Sequence, residues 1–177
     1  MLEGALVRLR VPDIADLERN HRWINDREVM RYLVMRYQAS MAAEEAWMRE
    51  RASVMPSYSN VMFAIETNDG RHIGNTGLHN GSPEDRAADV GIMIGEKDCW
   101  GRGYGTDALR TLVRFGFEDM NLNRIALDVY AFNARAIRSY EKVGFVHEAR
   151  RRQDIYRYGD YHDVLTMSIL RPEWERA

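Results

Sequence analysis

Glycine occupies alternate positions 101, 103 and 105 in the stretch WGRGYGTDAL, and a helix-forming run follows at once. Glycine loses more backbone freedom on folding than any other residue, so such a cluster is kept for what bare main chain can do. At a helix start the first N–H groups lack intrahelical acceptors, and the helix dipole adds partial positive charge. Together they favour an anion, and positions without side chains let a phosphate approach closely. A nucleotide-hydrolysing P-loop ends in Gly-Lys-Ser/Thr, whereas Thr106 directly follows Gly105. The dinucleotide fingerprint needs glycine three places after Gly103, where Thr106 stands again. A glycine-rich turn with no ligand is the bland alternative.

A second stretch, NARAIRSYEKVGF, begins at Asn133. Asn133, Ala136, Ile137 and Tyr140 share one helical face, because seven residues bring a helix round to nearly the same angle. A tyrosine phenol, with an ordinary pKa near 10, keeps its proton at neutral pH and can give it up to a departing group. The plain alternatives are a helix cap for Asn133 and a core aromatic for Tyr140. Cys99 is the single cysteine, which excludes an internal disulfide and a cysteine-based zinc cluster. It precedes the glycine loop with no histidine close in sequence, a poor setting for a nucleophile.

These groups need a scaffold, and the periodicity supplies one. Leu6–Arg10 reads as a strand closed by Pro12, and Asp13 caps a helix from about Ile14. A short helix begins in Asp26–Tyr32, and Ala42–Arg51 has strong helical composition. Val61–Glu66 and Arg71–His79 form a hairpin about Asn68-Asp69-Gly70, and Ser82–Arg86 is a polar loop. Asp89–Ile94 is the next strand, with Gly91 marking a bulge or a close neighbour. Leu109, Leu112, Val113, Gly116, Phe117 and Met120 make an amphipathic stripe. Ile125, Leu127 and Val129 alternate along a strand, giving a right-handed parallel βαβ unit. Gly144 ends the helix of Asn133–Tyr140, and two strands flank Tyr158-Gly159-Asp160. The fold class is α+β, with a sheet antiparallel at first and parallel in the middle.

At 177 residues, 45% hydrophobic and 29% charged, the chain suits one globular domain over 1–177. A net charge of −2 gives no global attraction to nucleic acid or membrane, and Arg150-Arg151-Arg152 is too short a basic run for a nucleic-acid footprint. No apolar run reaches membrane-spanning length, and MLEGALVRLR lacks the apolar core of a signal peptide, so a cytoplasmic protein is expected.

The motifs in order, WINDREVMRYL, ADVGIMI, WGRGYGTDAL, NRIALDVY, NARAIRSYEKVGF and YGDYHDV, resemble the GNAT superfamily of N-acetyltransferases over nearly the whole chain. The likeness is closest to the branch of ribosomal-protein N-terminal and spermidine acetyltransferases. The glycine loop matches the pyrophosphate pattern Gln/Arg-x-x-Gly-x-Gly/Ala, with Trp100 in place of the first residue. The resemblance implies an α/β-sandwich-like GNAT fold, with a mixed six- to seven-stranded sheet and about four helices. Its central strands would splay to hold acetyl-CoA, with no metal.

By the same resemblance, backbone of Ile92, Met93 and Ile94 would pair with pantetheine, and main-chain N–H groups of Arg102, Gly103, Tyr104, Gly105 and Thr106 would hold the pyrophosphate. Asn133 and Ala136 would contact the cofactor arm. Tyr140 would be the general acid toward a leaving thiolate, and Asp89 the first candidate for the base, with a water relay or His79 as alternatives. The plain readings are a strand-end cap for Asp89 and a surface histidine for His79. An oxyanion would meet a strand N–H near Ile92. The acceptor pocket would come from the first helices and the last hairpin, with Trp23, Tyr32, His79, Asp89 and Tyr156 as contacts. The expected acceptor is a small-molecule amine or a peptide N-terminus, and the expected assembly a homodimer. Two rival classes stand beside this: a non-catalytic acyl-CoA sensor and a nucleotide-binding α/β domain.

Overall fold

Alternation of apolar and basic residues in Val7–Arg10 sets the plan of the molecule: Val7 and Leu9 are fully buried, while Arg8 and Arg10 face the other way. The computed structural model describes residues 1–53 and 55–176. Its strands are β1 (Leu2–Glu3), β2 (Val7–Arg10), β3 (Asn60–Thr67), β4 (His72–Ser82), β5 (Ala87–Ile94), β6 (Arg124–Tyr130), β7 (Val146–Arg157) and β8 (Asp160–Leu170). The helices among the described residues are α1 (Leu17–Asn25), α2 (Arg27–Met30), α3 (Met41–Ser53), α4 (Tyr104–Glu118), α5 (Ala134–Val143) and α6 (Arg171–Trp174).

All eight strands join one sheet in the order β1-β2-β3-β4-β5-β6-β8-β7. The count exceeds the expected six or seven because the two-residue β1 pairs with β2. Six helices replace the expected four because α2 and α6 are single four-residue turns. Among the described residues only β5 and β6 run parallel; every other neighbouring pair is antiparallel. The region after Asp13 opens as a 3-10 turn, Ile14–Asp16, before α1 begins.

Helix α4 forms where the stripe lies: Leu109, Leu112, Val113, Gly116 and Phe117 are buried against the sheet, and Met120 falls just past its end. Gly116 allows the helix to sit this close, since a Cβ there would stand 2.8 Å from Ile125 Cδ1. Helices α1 to α3 cover the opposite face. Arg10 forks onto Asp16 at 2.7 and 2.8 Å, and Asn75 donates to Asn20 at 2.9 Å, tying α1 to the sheet through buried polar contacts. Gly91 has the close neighbour its position suggested. It pairs with Gly77, and the His79 ring lies over both.

One residue of α4 also fastens the start of the chain. The Asp107 carboxylate accepts N–H groups from Ala5, Leu6 and Val7 at 3.1, 2.7 and 3.0 Å. Asp107→Ala strands these donors, so it should lower unfolding free energy by about 2 kcal/mol. Chemical denaturation with an unchanged slope and an earlier midpoint is the expected reading.

Candidate active site

Strands β5 and β6 pair at Ala87–Arg124, Ala88–Ile125 and Asp89–Ala126, and then part. Beyond that point β5 stays with β4 as far as Ile94, and β6 stays with β8 as far as Tyr130. The gap opens a cleft of about 630 Å³ that runs from Asp89 to the N-terminus of α4 and along the face of α5.

At one end stands the glycine loop. Gly101 and Gly103 have φ of +74° and +91°, which side chains on L-residues disfavour. None of the backbone N–H groups from Gly101 to Thr106 finds an acceptor among the described residues, and the first to do so is Asp107, onto Gly103 O at 3.0 Å. Six free donors at a helix start form an anion site. Gly101, Gly103, Gly105 and Thr106 border the cleft. Arg102 is exposed and Tyr104 packs against the core, so these two bring only main chain to the loop.

Along the sides lie Ile92, Met93 and Ile94 of β5 and Asn133, Ala136 and Tyr140 of α5 and its cap. Asn133 Oδ1 accepts from Ala136 N at 3.3 Å, so the cap uses the oxygen, and its amide nitrogen has no acceptor among the described residues. Tyr140 is 8% exposed and packs edge-on to Phe145 at 5.8 Å. Its hydroxyl makes no hydrogen bond among the described residues, and burial pushes the phenol up to about 12. Asp89 marks the apex, exposed to solvent and accepting from Asn80 Nδ2 at 2.9 Å. Tyr32 also borders the cleft.

Three expected acceptor contacts lie elsewhere. Trp23 is buried beside His72, with ring centroids 4.8 Å apart, and donates Nε1 to Glu96 at 3.1 Å. It fits there because Gly95 lacks the Cβ that would stand 2.1 Å from the indole. His79 sits behind Gly91 rather than on the wall, with Nδ1 2.8 Å from Asn60 Oδ1, and burial lowers its pKa. Tyr156 projects from the hairpin, stacked on Tyr161 at 5.1 Å, and does not border the cleft.

The cleft also contains residues that spacing did not reveal. Trp100 donates Nε1 to Ile94 O at 2.7 Å, answering a carbonyl at the end of the parted strand. The Arg135 guanidinium lies 3.8 Å from the Trp100 ring centroid and 5.2 Å from that of Tyr32. This stack joins the segment after α2, the glycine loop and α5 across the opening. Burial lowers the Arg135 pKa, and it has no carboxylate partner among the described residues. Arg138 and Lys142 follow on the same helix and also line the cleft. A signal was present in Trp100, the position that departs from the loop pattern.

A family model described as an acetyltransferase (GNAT) domain matches residues 7–146. The chain belongs to the GNAT acetyltransferase family. A Bacillus subtilis protein, YdaF, provisionally named a ribosomal N-acetyltransferase, is 32% identical over 129 residues, covering 73% of this chain and 67% of its own. The Escherichia coli spermidine N(1)-acetyltransferase is 27% identical over 169 residues, 95% of this chain and 88% of its own. Among solved structures, the Vibrio cholerae spermidine N-acetyltransferase in complex with CoA and spermine superposes with a TM-score of 0.88 at 25% identity, covering 97% of this chain and 99% of that one. No helix among the described residues is long and apolar enough to cross a membrane.

Cys99 borders this GNAT cleft but is buried, and burial raises its thiol pKa, so it stays protonated and unreactive. Iodoacetamide near neutral pH should alkylate the native protein far more slowly than the unfolded chain, as mass spectrometry would register. Equal rates would contradict the buried thiol.

Proposed function

We propose that the protein transfers an acetyl group from acetyl-CoA directly to a primary amine, either a protein N-terminus or a polyamine or other small amine. The observation that carries this is the parted strand pair ending on six unanswered N–H groups, with the Tyr140 hydroxyl unpartnered in the same cleft. The donors of residues 101–106 fit a diphosphate, the edge of Ile92–Ile94 fits a chain of amides, and Arg138 and Lys142 add positive charge on the facing helix. Acetyl-CoA, bound there, supplies an activated acetyl thioester.

The remaining roles fall to side chains and main chain. Tyr140 holds its proton throughout the physiological range and is placed to give it, or a hydrogen bond, to a departing sulfur. Asp89, at the apex, takes the proton of the attacking amine, through water where its short side chain does not reach. Main-chain N–H near Ile92 meets the charge that develops on the carbonyl oxygen. The Cys99 thiol takes no part, so no covalent acetyl-enzyme forms. Cytoplasmic location and a homodimeric assembly belong to the same reading.

Two variants test it. Tyr140→Phe should lower kcat by about 100-fold while CoA still binds, the scale of a lost general acid. Because the phenol pKa is raised to about 12, deprotonation of Tyr140 adds no alkaline limb to the wild-type pH profile below that value. Turnover unchanged at every pH would remove the acid role. Gly105→Ala separates ligand binding from folding, since a Cβ there meets nothing nearer than Ile94 Cγ1 at 3.5 Å. Stability should hold or rise by about 0.5–1 kcal/mol, as for glycine to alanine within a helix. Affinity for CoA should drop about tenfold or more by calorimetry, because the methyl blocks close phosphate approach. Undiminished affinity would remove the backbone–diphosphate contact from the mechanism.

A further inference from the structure

Residues 31–40, between α2 and α3, form no helix or strand, yet Tyr32, Leu33 and Val34 line the cleft. A segment with no ladder of its own must have its main-chain groups answered from elsewhere. The carbonyls of Leu33, Val34 and Met35 accept no backbone N–H among the described residues. One distant side chain takes all three. Arg157, at the end of β7, donates from Nη2 to these oxygens at 2.7, 2.8 and 3.3 Å. Tyr130 completes the node: its hydroxyl donates to Leu33 O at 3.2 Å and accepts from Arg157 Nη2 at 3.2 Å.

This latch has a cost. Arg157 is only 8% exposed, forms no ion pair among the described residues, and its Nε has no hydrogen-bond partner there. A buried cation without a carboxylate is destabilising, and so is a buried donor left unanswered. What the arrangement secures is position. The other ties to the β7–β8 hairpin are exposed and long: Arg36 to Tyr156 O and the Tyr158 hydroxyl to Arg27 O, each at 3.3 Å. At the far end of the segment, Ala39 is held by the Asn25 amide at 3.0 and 3.1 Å. Between Leu33 and that anchor, Arg157 sets where the main chain stands.

The wall so placed lies on one face of the sheet. Helices α4 and α5 lie side by side on the other, Arg110 donating to Lys142 O at 3.0 Å, and the glycine loop opens α4 there. Leu127 and Val129 of β6 are buried toward those helices. Tyr130, next along the pleat, points to the opposite face, which α1 to α3 cover. In a direct transfer the second reactant meets the thioester from the side that the first leaves open. That is the side of residues 32–34.

We infer that Arg157 is a positioning residue for the acceptor: it fixes residues 32–35 as the wall against which the amine is seated. Arg157 itself does not border the cleft. The inference rests on the acetyltransferase reading above and adds a residue to it. Without the latch the wall stands in place for part of the time; acceptor binding weakens by that fraction, while a bound acceptor reacts as before. Arg157→Lys keeps the charge and gives up the planar fork. At saturating acetyl-CoA its KM for the amine should rise about tenfold, the effect of a wall in place about a tenth of the time, with kcat and CoA affinity within about twofold of wild type. The kinetics use spermidine, a peptide with a free N-terminus and glucosamine, taking each that turns over; calorimetry gives the CoA affinity. Hydrogen exchange of the CoA-bound protein without amine, read by mass spectrometry, should quicken over residues 33–38 and not in α4 or α5. Should Arg157→Lys fail to fold, Tyr130→Phe removes one donor from the same node and should raise KM about threefold, the scale of one neutral hydrogen bond. An unchanged KM in whichever variant folds overturns the inference. So does a fall in kcat and CoA affinity together with the melting temperature, the mark of structural support alone. Either result leaves the acetyltransferase reading standing. No turnover of any amine by the wild type, with CoA still binding, overturns both.

Discussion

The structure depends on a broken ladder. In a sheet of eight strands, two parallel neighbours pair for three residues and then separate, although both continue. Unpaired strand edges inside a fold are costly, since each buried N–H or C=O that loses its partner forfeits a hydrogen bond. The opening persists because each strand is held on its outer side, β5 by β4 and β6 by β8, and because Trp100 answers the carbonyl of Ile94. The remaining edges are free for amides of another molecule. The bare turn of glycine at the far end adds a further run of unanswered N–H groups among the described residues.

The two titratable groups assigned to opposite proton transfers live in different media. Tyr140 is enclosed by apolar neighbours, which hold its phenol in the neutral form. Asp89 stands in solvent at the strand apex. The proposed chemistry needs that contrast: a donor enclosed with its proton, and an acceptor open to water.

Local periodicity made much of this legible. The α4 stripe, the capped α5, the glycine cluster and the Asn68-Asp69-Gly70 turn of the β3–β4 hairpin are properties of a few consecutive residues, and each forms where its pattern lies. What stayed hidden was long-range. Trp23 looks like a pocket residue until Gly95 is seen to accommodate its ring from more than seventy positions away. His79 looks like a base until paired glycines on β4 and β5 are seen to receive it. The Arg135–Trp100–Tyr32 stack and the Arg157 latch join segments separated by a hundred residues or more in part, and no helical or strand repeat encodes such meetings.

The clamp at the chain's start carries one more consequence. An acidic residue near the first turn of a helix ordinarily competes with any anion sent to that terminus. In α4 the carboxylate of Asp107 is turned aside and occupied by the amides of Ala5, Leu6 and Val7. The opening strand thus occupies that negative charge, and the N–H groups at the helix tip stay unanswered among the described residues.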